Sequence, residues 1–261
     1  MVFVNDREFF VGNSKGTVVG IGIDHDRKLE FRPSIGYIAK IEKVGPQIWI
    51  ISASGGFRWS LTGLEHVAPK AVDISTPNNL SVFCLGMKDG TIEIVDSTNK
   101  EVVQSKKLLM DGFSTELKRC CWSPNDEKIG AITSIGNSSQ VHLVESSDVS
   151  SIVSKSLKAV VRECCFTPDG NGLILVGSHV LYLDCKTHEI IELAKAPADS
   201  PVVRKSLNSN PDYFLSLAII KEQNTTILFS GTADGEVWSW ALETEDVEVS
   251  GKSRTDDESD Q

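Results

Sequence analysis

Apolar and polar side chains alternate in short runs along this chain, and each run opens on a small or turn-forming residue. The runs are Gly16-Thr17-Val18-Val19-Gly20-Ile21, Gly56-Phe57-Arg58-Trp59-Ser60-Leu61, Gly90-Thr91-Ile92-Glu93-Ile94-Val95-Asp96, Ser139-Gln140-Val141-His142-Leu143-Val144, Ser178-His179-Val180-Leu181-Tyr182-Leu183-Asp184 and Gly235-Glu236-Val237-Trp238-Ser239-Trp240. A period of two over so few residues predicts strands rather than helices. The runs begin at 16, 56, 90, 139, 178 and 235, in steps of 40, 34, 49, 39 and 57. The mean step of about 44 residues predicts a repeated unit of several strands.

A second signal repeats in the same frame. Arg119-Cys120-Cys121-Trp122-Ser123-Pro124-Asn125-Asp126 aligns without gaps on Glu163-Cys164-Cys165-Phe166-Thr167-Pro168-Asp169-Gly170, at an offset of 44. Each is an apolar strand running into a Ser/Thr-Pro turn, where proline presets φ and Asn, Asp or Gly accepts the unusual torsions. Further strands are expected at 81–85, 129–133, 173–176 and 227–230, and Asp89-Gly90 and Asp234-Gly235 signal hairpin turns. No sustained helical period occurs between Val2 and Ser250.

These features resemble the WD-repeat family. Thr226-Ile227-Leu228-Phe229-Ser230-Gly231-Thr232-Ala233-Asp234-Gly235-Glu236-Val237-Trp238-Ser239-Trp240-Ala241 looks like that family's central hairpin. Val95-Asp96 and Leu183-Asp184 stand where its Trp-Asp dipeptide would be, and Cys121-Trp122-Ser123-Pro124 and Cys165-Phe166-Thr167-Pro168 match its first-strand ending. The chain departs from the pattern in having no Gly-His dipeptide before any blade and Ala241 after Trp240, so the family's buried His–Ser/Thr–Asp–Trp network is mostly lost. The resemblance implies an all-β, WD40-like β-propeller of about six four-stranded blades, or seven if a further piece completes it.

The expected blades lie near 1–35, 36–70, 71–112, 113–158, 159–198 and 199–250, with an acidic, disordered tail over 251–261. The first is thin, since its opening strand has only Met1 to Val4. The last holds an insertion near 196–212, rich in Pro, Ser and Asn, expected to be a loop. An unpaired strand edge is a hazard, so closure requires six blades alone, a seventh, or strand donation by a partner.

Composition narrows the function classes. The 261 residues carry a net charge of −10, from 36 acidic and 26 basic side chains, so nucleic acid is not the expected partner. No apolar run is long enough to cross a bilayer and the N-terminus lacks a signal-peptide layout, so a soluble intracellular protein of nucleus or cytoplasm is expected, without membrane insertion. The six cysteines include the adjacent pairs Cys120-Cys121 and Cys164-Cys165. Strand neighbours face opposite ways, so buried, reduced thiols in a reducing compartment are expected rather than bridges, and no C-x-x-C suggests zinc.

Candidate chemistry is sparse. His142 and His179 fall at corresponding third-strand positions and are expected to be ordinary strand residues; His25, His66 and His188 have no ligand spacing. No G-x-S-x-G elbow is present. Gly12-Asn13-Ser14-Lys15-Gly16-Thr17 faintly resembles a phosphate loop but lies in an expected hairpin. Phe57, Arg58, Trp59 and Trp238 are candidate protein-interaction residues, with packing between blades as the alternative. Lys106-Lys107 and Arg204-Lys205 are expected to be loop charges, and Thr255, followed by acids, a modification site. No catalytic residue, metal or cofactor is expected. The resemblance implies a non-enzymatic scaffold within a larger protein complex, such as a nuclear-pore-type assembly. The competing expectations are a metal-dependent propeller hydrolase and a peptide-reading propeller.

Overall fold

The computed structural model describes residues 2–5, 8–22, 28–33, 36–60, 63–110, 113–197, 213–222 and 225–243. Among these there is no helix. The chain divides into two compact units, Met1–Gly136 with Gln140–Ser156, and Asn137–Ser139 with Leu157–Gln261.

The first unit is built from consecutive antiparallel meanders. β1 (Val2–Asn5), β2 (Glu8–Gly12), β3 (Val18–Gly22) and β4 (Lys28–Phe31) form one four-stranded sheet. β5 (Ile38–Val44), β6 (Gln47–Ser52), β7 (Gly55–Ser60) and β8 (Gly63–Ala68) form the next. β9 (Ala71–Ser75), β10 (Val82–Met87), β11 (Thr91–Asp96) and β12 (Val102–Lys107) form the third. A two-stranded hairpin, β13 (Leu109–Met110) with β14 (Phe113–Ser114), precedes β15 (Glu116–Trp122), β16 (Lys128–Ile135), β17 (Ser138–Glu145) and β18 (Ile152–Leu157). The leading strands neighbour one another in turn: β1 with β5, β5 with β9, β9 with β15.

The second unit holds β19 (Val161–Phe166), β20 (Gly172–Gly177), β21 (His179–Asp184) and β22 (Ile190–Lys195) in a four-stranded sheet, and β23 (Ala218–Glu222), β24 (Thr225–Gly231) and β25 (Val237–Glu243) in a three-stranded one. The sheets follow the blade boundaries expected from the repeat. The six alternating runs are the third strands of the four-stranded sheets and the last strand of the final one. The thin first blade is a full sheet, because Val2 and Phe3 pair with Phe10 and Phe9.

The near-continuous apolar stretches of the second strands follow from burial on both faces. In β6, Ile48 and Ile50 pack with Phe10, Val18 and Ile41, while the intervening Trp49 and Ile51 join Ile74, Phe83 and Val95. β10 does the same one sheet later, with Phe83 and Leu85 on one side and Cys84 on the other. In the second unit Ile174, Val176 and Val180 meet Phe214, Leu228 and Trp240. Each cluster lies between consecutive sheets, so the core is a series of sheet-on-sheet interfaces.

The 44-residue offset extends to backbone detail. The pairing of β15 with β16 slips between Leu117 and Arg119, and that of β19 with β20 slips between Val161 and Glu163, 44 positions on. The turns that follow match as well. Lys128 N donates to Ser123 Oγ at 2.9 Å, and Gly172 N to Thr167 Oγ1 at 2.9 Å. The left-handed residue is Asp126 (φ 60°) in one turn and Gly170 (φ 75°) in the other.

Two details differ from expectation. Lys106 and Lys107 lie in β12 rather than in a loop, because the strand extends to pair Lys107 with Thr91. The boundary set near 112/113 falls inside the β13–β14 hairpin, whose strands are too short to carry a periodic signal. The insertion over 198–212, with Arg204 and Lys205, His25, and the tail with Thr255 lie outside the described residues.

Candidate functional site

The sequence candidates separate into core and surface. Phe57 is buried, stacks on His66 with ring centroids 4.4 Å apart, and shares the cluster between the first two sheets with the half-buried Trp59. Trp59 stacks on Phe31 at 6.1 Å and tilts against Phe10 at 5.4 Å. Arg58, on the opposite face of β7, pairs with Glu65. Trp238 is half-buried, edge-on to Phe214 at 5.7 Å, and its indole N–H donates to Glu236 Oε2 at 2.9 Å. The structure thus brings Phe57 and Trp59 together in a core, with Arg58 on the other side of their strand.

The phosphate-loop-like segment is a hairpin turn between β2 and β3. Asn13 Oδ1 accepts the N–H groups of Lys15 at 2.9 Å and Thr17 at 3.0 Å, and Gly16 takes a φ of 81°. The residues at the Trp-Asp positions also act on turns. Asp96 Oδ1 accepts from Thr98 N and Asn99 N, and Asp184 Oδ1 from Lys186 N and Thr187 N. These N–H donors hold both carboxyls below the ordinary aspartate range.

The buried polar groups join strand to strand. His142 on β17 shares hydrogen bonds through Nε2 with Thr133 Oγ1 on β16 at 2.8 Å, and through Nδ1 with Ser154 Oγ on β18 at 2.8 Å. Burial lowers its pKa to about 4, so the ring is neutral and donates from one nitrogen while accepting at the other. This three-strand ladder was not legible beforehand, since no short-range motif links residues 133, 142 and 154. In the second unit His179 Nδ1 meets Ser178 Oγ at 2.8 Å; burial lowers its pKa against the opposing pull of Glu192.

The leading strands are joined by side chains rather than by ladder pairing. Asp73 on β9 is fully buried; its Oδ2 accepts Cys120 N of β15 at 2.8 Å, and its Oδ1 lies 3.5 Å from Lys40 Nζ of β5. Burial pulls the Lys40 ammonium down, but Asp73 together with Cys120, Glu42 and Cys121 outweighs it, and the pKa lies above the usual lysine value. Ser75 Oγ, two residues along β9, accepts Trp122 N at 2.9 Å. Among the described residues no three His, Cys, Asp or Glu side chains converge as a metal site, and no helix is long and apolar enough to cross a membrane.

The surface around the turn between β10 and β11 is different in kind. Gly90 has a φ of 85°, its carbonyl accepts Leu108 N at 2.9 Å, and a Cβ placed on it would fall 2.7 Å from Thr115 O. Leu108 and Thr115 flank the β13–β14 hairpin, so the hairpin is rooted on this turn. On it, Leu109 is 45% and Phe113 70% exposed. Thr115 Oγ1 donates to Ser134 O at 3.0 Å, which sets Ile135, 44% exposed, beside the hairpin's base.

Solved structures share this architecture. The β-propeller domain of Cps50 (Swd1) from Myceliophteria thermophila aligns with a TM-score of 0.59 at 11% identity, over 81% of this chain and 67% of that one. A chain of the mitotic checkpoint complex aligns with a TM-score of 0.63 at 13% identity, over 89% of this chain and 69% of that one. The chain has a WD40-like β-propeller fold. No protein-family profile and no characterised protein sequence matches it.

Proposed function

We propose that this propeller is a non-enzymatic scaffold, a subunit of a larger protein assembly. The observation that carries the reading is where its polar chemistry is placed. Asp73, Ser75, His142, His179 and the turn aspartates are each engaged in holding strands or turns, while the large apolar side chains Leu109 and Phe113 stand exposed on β13 and β14. The structural likeness to a chain of a multi-protein complex supports the same reading. Of the four sequence candidates, Arg58 and Trp238, whose polar groups pair with the exposed Glu65 and Glu236, are the proposed partner contacts.

A tagged full-length chain drawn from native extract tests this. A single defined assembly, eluting far above the chain's own 28.5 kDa, is expected. Recovery of the chain alone at every salt concentration would count against a scaffold. Microscopy of the same tagged chain tests the finer reading, residence in nucleus, cytoplasm or at nuclear pores.

Strand donation by a partner is a second element of this reading. β25 pairs with β24 on one side, and among the described residues its sheet has three strands where the five preceding blade sheets have four. A donated strand would protect the amides of β25 from hydrogen exchange in the assembly but not in the free chain; equal protection in both would exclude it.

A further inference from the structure

We infer that the edge of β25 receives a basic strand from a partner protein: an extended segment, apolar at alternate positions and flanked by lysine or arginine. The inference rests on the strand-donation reading above and names the chemistry of the donated segment.

β25 stands last in its sheet, yet its composition is that of an inner strand. An exposed ladder edge invites unwanted pairing, and charged side chains are the usual guard against it. Each strand that closes an earlier blade sheet carries charge: Glu30 in β4, Glu65 in β8, Lys107 in β12, Lys155 in β18 and Lys195 in β22. From Val237 to Leu242, β25 carries none. It pairs with β24 over its whole length, and among the described residues no strand lies on its other side. Trp240 is buried in the cluster with Phe214 and Leu228, and Trp238 and Leu242 pack on that cluster. A strand laid along β25 adds alternate side chains to the same face. Apolar residues at those positions would cover Trp238 and Leu242. On the opposite face Val237 is 69% exposed.

Charge complementarity selects the occupant. The second unit holds 18 acidic and 9 basic side chains, a net charge of −9 out of the chain's −10. Asp234 and Glu236 stand exposed at the turn that opens β25, and Glu243 ends the strand. On β23 Lys221 offsets Glu222, and on β22, whose Leu193 packs on the same cluster, Lys195 offsets Glu192. The β21–β22 turn adds Asp184 and Glu189 against Lys186. The acids at the two ends of β25 therefore keep an excess. Beyond Glu243 the chain has seven acids and two bases, and a second copy would bring its own −9 to the contact. Like charge opposes both of these occupants and draws in a segment with cations at its ends. Main-chain bonding along the edge supplies affinity, and the alternate side chains supply selection.

The experiment is to pan a display library of short random peptides against the full chain. Enriched peptides are synthesised and titrated into the wild type, Val237→Lys, Glu236→Gln and the control Val103→Lys, which places the same charge on β12 of the other unit. Hydrogen exchange of β25 is read with and without peptide. Alternating apolar residues flanked by Lys or Arg are expected, with protection of the β25 amides on binding. Affinity should fall about tenfold in Val237→Lys and about threefold in Glu236→Gln, which keeps an acceptor for the Trp238 indole. It should weaken with salt and stay unchanged in the control. The substituted side chains are exposed, and unchanged thermal unfolding verifies folding. A neutral or acidic consensus, no peptide that protects β25, or equal affinity in all four proteins would overturn the inference. So would β25 amides already protected in the free chain, whether at every concentration, as its own tail would give, or increasingly with concentration, as a second copy would. If the native assembly protects β25 but the enriched peptides are not basic, this chemistry fails and strand donation stands; equal protection in assembly and free chain overturns both.

Discussion

Asp73 accepts the backbone N–H of Cys120 from the neighbouring sheet, and two residues along the same strand Ser75 accepts that of Trp122. Alternate residues of β9 thus meet alternate residues of β15, so two strand edges that do not pair directly have their donors satisfied by side chains. Asp73→Ala would leave a buried N–H and the Lys40 ammonium without this carboxylate. We expect a loss of about 3 kcal/mol in denaturant unfolding. Asp73→Asn keeps acceptor capacity and should lose less. Equal stability of Asp73→Ala and wild type would show that water or a shifted backbone replaces the carboxylate.

His142 makes stability depend on pH in a defined direction. Its folded pKa, about 4, lies below the ordinary histidine value of 6.5. The unfolded chain therefore binds the proton more readily, and the stability associated with the neutral ring is present above about pH 6.5 and lost as pH falls toward 4. Between pH 7 and pH 5 this one group removes about 2 kcal/mol. His142→Gln should unfold more easily at pH 7, having lost the ladder to Thr133 and Ser154, but should show a shallower decline over this interval. A decline unchanged from wild type would place the titration elsewhere.

Gly90 and Gly136 both have positive φ, at 85° and 59°, but only Gly90 is enclosed. Gly136→Ala meets open space and should cost about 1 kcal/mol, the left-handed penalty alone. Gly90→Ala adds an overlap with the carbonyls of Thr115 and Leu108 and should cost about 3 kcal/mol or more. It should also loosen the hairpin rooted there, raising hydrogen exchange over 108–115. Similar losses for the two variants would mean that the turn and the hairpin base separate freely.

The repeat was legible because each sheet spends its residues the same way. The 44-residue offset carried strands, Ser/Thr-Pro turns and even the register slip before Arg119 and Glu163. The bridging polar groups were not legible. Asp73 and Cys120 are 47 positions apart, and nothing local to either distinguishes a buried acceptor from a surface aspartate. The hairpin was missed for another reason: Leu109-Met110 and Phe113-Ser114 are too short for alternation to register, and their placement depends on Gly90, outside their own segment. Phe57-Arg58-Trp59 shows the converse. Alternation correctly put Phe57 and Trp59 on one face, but a period of two does not say whether that face meets another sheet or solvent.

The adjacent cysteine pairs provide a further test, since reactivity follows the thiolate and its access. Within each pair the strand pleat turns one thiol inward: Cys120 is buried and Cys121 half-buried, Cys164 buried and Cys165 exposed. Cys84 and Cys185 are buried as well. The Cys120 thiol is pushed above its usual pKa by its hydrogen bond with Cys84 and by burial, which further disfavours the thiolate. A thiol reagent applied to the native chain should therefore modify Cys165 first and Cys121 more slowly. Cys84, Cys120, Cys164 and Cys185 should react only as denaturant unfolds the protein, with mass spectrometry reading each site. Because Cys120 lies beside the acceptor on Asp73, its protection also reports on that junction: in Asp73→Ala, Cys120 should become reactive at lower denaturant than Cys164. Rapid modification of Cys120 in the native wild type would show that the β9–β15 junction opens on its own.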